Sequence, residues 1–196
     1  MTDNAPLTRE RILTAAEEVI RRFGPERATV VDVARALGVT HAAVYRHVAN
    51  KAELRQLVVK QWMETIMPPL RAIAAGRGSA PKRLRKFFDA LIAVKRRRSA
   101  EDPELFAAYR TLAVDAATVV AAHVDELIAL SAAVIKDGIK EGAFRRVEPV
   151  GAARAILTAT SRFHHPAHAG EWGDAAVDAA FDEVWAILMV GLRARR

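Results

Sequence analysis

The chain has 196 residues, of which 30 are basic and 23 acidic, with a net charge of +7, 52% hydrophobic residues and no cysteine. The absence of cysteine excludes disulfides and thiolate chemistry; abundant Ala and Leu with few aromatics suit an all-helical protein large enough to bury a core. The N-terminus MTDNAPLTRE resembles no signal peptide, and no apolar run reaches the ~20 residues of a membrane span, so a soluble cytoplasmic protein without a membrane partner is expected. A positive excess favours nucleic acid, yet all of it lies between Ser79 and Ser99, where eight basic residues face Asp89 alone.

Taken in chain order, the pattern predicts helices throughout. Thr8 caps a first helix with Ile12, Ala16, Val19, Ile20 and Phe23 on one stripe, stopped by Gly24-Pro25. Thr29 caps a second, with Asp32 in a variant capping box, and Gly38 ends it at a left-handed position. Thr40 caps a third, His41 to His47, pinned inward by Val44 and Val48. A helix this short needs its neighbour, and the pair fits a helix-turn-helix whose second member enters a DNA major groove. Asn50 and Glu53 form an N-x-x-E box at the start of a fourth helix, which runs to Ile66 before Met67-Pro68-Pro69 disrupts it.

Beyond a turn at Ala75–Ala80, a fifth helix runs to about Arg98. Leu84, Phe87, Phe88, Leu91 and Val94 form one face; Lys82, Arg85, Lys86, Arg96 and Arg97 lie opposite, as a solvated or anion-facing surface. Asp102-Pro103 starts a sixth helix. A seventh covers Thr118 to Glu141, an eighth starts at Pro149, and a ninth opens at Gly173-Asp174.

The stretch GVTHAAVYRHVANKAEL resembles the recognition helix of the tetracycline-repressor (TetR) family of regulators. Gly38-Val39-Thr40, Tyr45 with His47, and Lys51 before Leu54 carry the likeness, and LTRERILTAAEEVIRRFG matches the family's first helix. It is specific over Leu7 to Leu57. Ala42 or Ala43 stands where many members have Gly or Pro, and Val48 where many have Phe. The resemblance implies an all-α regulator: a helix-turn-helix DNA-binding domain over residues 1–51, then about six helices over 52–196 for ligand binding and dimerisation. It implies a homodimer on a near-palindromic operator, repression relieved by a small molecule, and signal transmission by the fourth and sixth helices.

The expected DNA contacts follow from chemistry and motif together. Tyr45 and Lys51 suit phosphates, with Thr29 and Thr40 adding cap hydroxyls or amides. His41, Ala42 and Arg46 are candidate base readers, and His47 also points away from the core. Trp62, Phe106, Tyr109, His123, Phe163 and His165 are candidate pocket residues for a neutral or weakly polar organic ligand. Ile156, Thr160, Val177, Phe181, Val184 and Leu188 form apolar stripes that the resemblance assigns to the dimer interface. No nucleophile motif, phosphate loop or paired carboxylates mark an enzyme, and no cofactor is expected. The run Phe163-His164-His165-Pro166-Ala167-His168 leaves an alternative, a helical metal-dependent enzyme or metal-binding protein using His164, His165 and His168.

Overall fold

The computed structural model describes residues 6–27 and 29–194, with Arg27 as backbone only. Eleven α-helices appear among them: α1 Arg9–Phe23, α2 Val30–Leu37, α3 His41–Tyr45, α4 Lys51–Glu64, α5 Met67–Ala74, α6 Ala80–Glu101, α7 Pro103–Asp115, α8 Ala117–Lys140, α9 Pro149–Ala159, α10 Ser161–His164 and α11 Ala176–Leu192. Short 3-10 turns cover Pro25–Arg27 and Pro166–Glu171. The chain forms two compact units, one of residues 1–65 with 102–122, the other of 66–101 with 123–196.

In the first unit the caps are local and complete. Thr8 Oγ1 accepts the Arg11 N–H (3.2 Å), Thr40 Oγ1 that of Ala43 (3.2 Å) and Asn50 Oδ1 that of Glu53 (2.9 Å). Glu53 reaches back to the Ala49 N–H, which closes the box one residue before the cap. Thr29 Oγ1 accepts from Asp32 N (3.1 Å) and donates its own proton to Asp32 Oδ2 (2.6 Å). Gly38 takes the left-handed conformation, φ 66°, that ends α2 and turns the chain into α3. Ile12, Leu13, Ala16, Val19 and Ile20 of α1 are buried. Phe23 departs from the expected stripe: it is exposed, with the Arg22 guanidinium 5.3 Å from its ring. Helix α2 packs on α1 and α3 on α2, while α4 and α7 pack on α1 and on each other. By packing, therefore, α4 and α7 join the first three helices, a wider grouping than residues 1–51.

Met67-Pro68-Pro69 does more than end a helix. The prolines lie in the first turn of α5, where their missing N–H groups cost nothing. In the second unit α5 packs on α6, and α10 packs on α6 and α9. Buried Arg83 of α6 donates to the Ala74 and Gly76 carbonyls (both 3.0 Å) and pairs with Asp137 of α8 (2.7 Å). Gly138, inside α8, lies against Phe144: a Cβ there would run into that ring, so no larger residue fits without moving the aromatic. Phe144 also forms an isolated antiparallel bridge with Arg193, which fastens the end of α11 to the loop after α8.

Among the described residues α8 is long and apolar enough, by length and composition, to cross a membrane, against the expectation that no such run exists. It carries Asp125 and Glu126, and Glu126 pairs with Arg71 of α5 (2.7 Å). One face, with Leu127, Ile128, Val134 and Ile135, is buried within the protein. These are the features of a core helix.

Candidate nucleic-acid interface

Helix α3 is held by its inward side chains and leaves its outer ones free. Val44 and Val48 are fully buried, while His41, Ala42, Tyr45 and Arg46 are exposed and His47 is half-buried. Tyr45 is 48% exposed and stands edge-on to His41, ring centroids 6.4 Å apart. Lys51, at the first position of α4, is exposed, its ammonium donating to the Glu26 carbonyl (3.4 Å). Thr29 and Thr40 spend their hydroxyls on caps, so a phosphate would meet chiefly the amides beside them. The phenol, guanidinium, imidazole and methyl groups of Tyr45, Arg46, His41 and Ala42 thus sit on one rigid element and suit phosphate and base-edge contacts.

Two arginines that no sequence motif marks brace this arrangement. Arg9 of α1 donates twice to the His47 carbonyl (2.9 and 3.3 Å) and pairs with Glu53 (3.5 Å). It thereby fastens the end of the recognition segment to α1 and α4. Arg55 of α4 reaches the Pro25 carbonyl (3.0 Å), Glu26 (3.2 Å) and Asp115 of α7 (3.5 Å). Their partners lie 29 to 60 positions away, so no local spacing marks them.

The six candidate pocket residues divide between the two units, Trp62, Phe106 and Tyr109 in the first and His123, Phe163 and His165 in the second. Trp62 of α4 stacks on Tyr109 of α7, centroids 4.6 Å apart and planes at 16°, and meets Phe106 edge-on at 5.8 Å. The Tyr109 hydroxyl donates to Glu17 of α1 (2.7 Å). These three aromatics cement α4, α7 and α1 of the first unit. His123 and Phe163 are buried in the second unit, and His165 is exposed.

The histidine run also divides. His164 is buried, its Nε2 3.3 Å from both the Leu157 carbonyl and Thr160 Oγ1. Burial first, and the nearby Lys95 charge second, push its pKa down to about 3. His165 Nδ1 accepts from Ala167 N (3.3 Å), and His168 faces Glu171 (3.0 Å). Among the described residues no group of three His, Cys, Asp or Glu side chains is placed to hold a metal, and the metal-enzyme alternative finds no support.

Comparison with known proteins agrees with this geometry. Residues 12–58 match the family described as bacterial regulatory proteins, tetR family, and residues 80–185 match the tetracyclin repressor-like C-terminal domain. The chain belongs to the TetR family. Its members are transcription regulators rather than enzymes. A 63-residue stretch, 32% of the chain, is 41% identical to the HTH-type transcriptional regulator TtgR of Pseudomonas putida, of which it spans 30%. SmeT, the repressor of the Stenotrophomonas maltophilia multidrug efflux pump SmeDEF, shares the fold at a TM-score of 0.69 and 20% identity, over 95% of this chain and 91% of that one. SmeT is also known as a triclosan complex. A TetR transcription regulator from Haloarcula marismortui gives a TM-score of 0.70 at 20% identity, over 94% and 97% of the two chains.

Two further expectations change within this TetR fold. Of the six residues assigned to a dimer interface, Ile156, Thr160, Val177 and Phe181 are buried inside the protomer, and Val184 and Leu188 are half-buried. The inward stripe of α11 is Val177, Phe181, Trp185, Met189 and Leu192, rotated from the expected one because Trp185 and Met189 continue the spacing. Left outside are Ile187, 73% exposed, and Val190, 82% exposed. The basic helix α6, in turn, is no uniform outer face. Arg85 pairs with Asp89 and with Asp182 of α11 (2.8 and 2.6 Å), Arg96 pairs with Asp178 of α11, and Arg83 and Lys95 are buried. Much of the positive excess is consumed inside the second unit.

Proposed function

We propose that this TetR-family regulator is a cytoplasmic homodimeric repressor that binds a near-palindromic operator and leaves it when a small, largely apolar organic molecule binds the second unit. The observation that carries the DNA half is α3: its outward set of His41, Ala42, Tyr45 and Arg46 is fixed from behind by Val44, Val48 and Arg9, with Lys51 alongside. Two such helices, related by a two-fold axis, suit successive major grooves.

Support for the dimer comes from the outer face of α11, where Val184, Ile187 and Val190 form an apolar stripe, and from the exposed small residues Gly151, Ala155 and Ala159 of α9. Both kinds of surface favour close helix pairing. Ile187→Glu and Val190→Glu are expected to give a folded monomer by sedimentation.

Support for transmission comes from α7. It joins the first unit through Asp102 to Arg21 (2.9 Å), Tyr109 to Glu17 and Asp115 to Arg55, while its neighbours in sequence, α6 and most of α8, belong to the second. The Arg21 hydrogen bond holds the Asp102 carboxyl below its ordinary range. A ligand that binds better when α6 and α8 are displaced would move α7 and with it the reading head; by linkage it then lowers operator affinity by the same factor that DNA lowers ligand affinity.

The test is to select duplexes from random sequence with the unaltered protein, then measure binding against salt. Selected sites should be near-palindromic and binding should weaken steeply with salt. Failure to bind any duplex in a salt-dependent way overturns the reading.

A further inference from the structure

The turn between α3 and α4, residues 46–50, joins two sets of DNA-facing groups: Tyr45 and Arg46 at its start, Lys51 at its end. Two backbone groups of this turn are held by one pair of side chains from outside it. Arg9, the first residue of α1, donates to the His47 carbonyl from Nε (3.3 Å) and from Nη2 (2.9 Å). The same Nη2 lies 3.5 Å from Glu53 Oε1, and Glu53 Oε2 accepts the Ala49 N–H. Asn50 in turn caps the Glu53 N–H (2.9 Å), and Val48, between the two held groups, is buried. Arg9 and Glu53 thus form a buckle from α1 to α4 across the end of the recognition segment.

Two properties of the pair narrow its role. Its side chains are 54% and 34% exposed, and an ion pair so open to water adds little to stability. Its net charge is zero, so it attracts a phosphate far less than Lys51 does, whose ammonium meets only a neutral carbonyl, that of Glu26 (3.4 Å). What remains is geometry. A guanidinium fork on one carbonyl fixes direction as well as distance, which an ammonium on a flexible stem does not. Direction matters unequally to the two kinds of DNA contact. Hydrogen bonds to base edges fail steeply with angle, whereas attraction to phosphates tolerates displacement.

We propose that Arg9 is a positioning residue for operator discrimination: buckled to Glu53, it holds the end of α3 at a fixed angle to Lys51, so that the base readers of α3 stay in register with the phosphate contacts, and it does so without touching DNA. The inference rests on the operator-binding reading and names a determinant of its selectivity. Loss of Arg9 then falls on the selected sequence and spares binding to unrelated duplex.

The experiment measures anisotropy on a selected duplex and on an unrelated duplex of equal length, each across a range of salt. It compares the unaltered protein with Arg9→Gln, Arg9→Lys and the double variant Arg9→Gln with Glu53→Gln. Arg9→Gln should lower the ratio of the two affinities at least about tenfold, the worth of one base contact. The unrelated duplex should stay within about twofold and both salt slopes should be unchanged. Arg9→Lys keeps the charge but not the fork, and should lose discrimination in the same way. The double variant should be no worse than Arg9→Gln, because the two side chains act as one unit. All variants should melt within about 4 °C of the unaltered protein, so that the loss is not one of folding. A salt slope lower by about one in Arg9→Gln and restored in Arg9→Lys would make Arg9 a phosphate contact and overturn the assignment. An unchanged ratio in Arg9→Gln overturns it too, whatever the melting temperature. Failure of the unaltered protein to bind either duplex takes the operator-binding reading first; binding with a ratio that ignores Arg9 removes only this role.

Discussion

Two cations, half-buried Arg55 of the first unit and buried Lys95 of the second, are treated in opposite ways. Arg55 of the first unit has three acceptors on other segments, a carbonyl and two carboxylates. Lys95 of the second has burial and no counter-charge. Arg55 therefore consolidates: it joins α4, α7 and the turn at Pro25–Arg27 into a rigid support for α3. Lys95 strains the unit that holds it. A DNA-reading head benefits from being fully satisfied, because its contacts must be presented without reorganisation.

The largest test of this contrast is Trp62→Ala. If the Trp62–Tyr109 stack is structural cement, its removal should cost about 3–5 kcal/mol in chemical denaturation and abolish duplex binding. A loss of ligand affinity with stability unchanged would instead return Trp62 to a pocket.

The second test is pH. His164 has a folded pKa of about 3 against 6.5 unfolded. Its folded state excludes a proton that the unfolded chain accepts, so its contribution is intact above pH 6.5 and is lost as pH falls from 6.5 towards 3. The slope is about 1.4 kcal/mol per pH unit. Urea midpoints between pH 7 and 4 should fall accordingly, and His164→Gln should flatten that limb.

Lys95→Met comes third. With the ammonium pKa lowered from 10.5 to about 8, the penalty is full below pH 8 and fades as pH rises to 10.5. At pH 7 the substitution should stabilise the ligand-free protein by about 3 kcal/mol, and the gain should shrink above pH 8. A destabilised variant would mean that Lys95 has a partner in the folded chain.

The smallest effect on stability belongs to Lys51→Ala, within about 0.5 kcal/mol, since the side chain is exposed. Its effect should appear on DNA alone, as a drop of about one in the slope of log affinity against log salt. An unchanged slope would remove Lys51 from the phosphate contacts.

The sequence by itself determined most of the DNA-reading end. Caps act over three residues, Gly38 must turn where only a left-handed backbone continues, and Val44 with Val48 repeats at helical spacing, so Thr29, Thr40, Asn50 and the outward face of α3 were legible from neighbours alone. The start of α7 at Asp102-Pro103 and the all-helical class were legible for the same reason. The tertiary structure decided what depends on partners far along the chain. Arg9, Arg21 and Arg55 find acceptors 29 to 81 positions away, and no period announces them. The inward stripe of α11 is half legible: Val177 and Phe181 lie on it, but Val184 and Leu188 continue the spacing as well as Trp185 and Met189 do, and only packing chooses between them. Trp62 and Tyr109 read equally well as pocket or cement until their rings are seen stacked. Lys95 was one charge in a basic run, and burial alone set it apart, because a helix rotates each residue by 100° and a neighbour's exposure says little about its own.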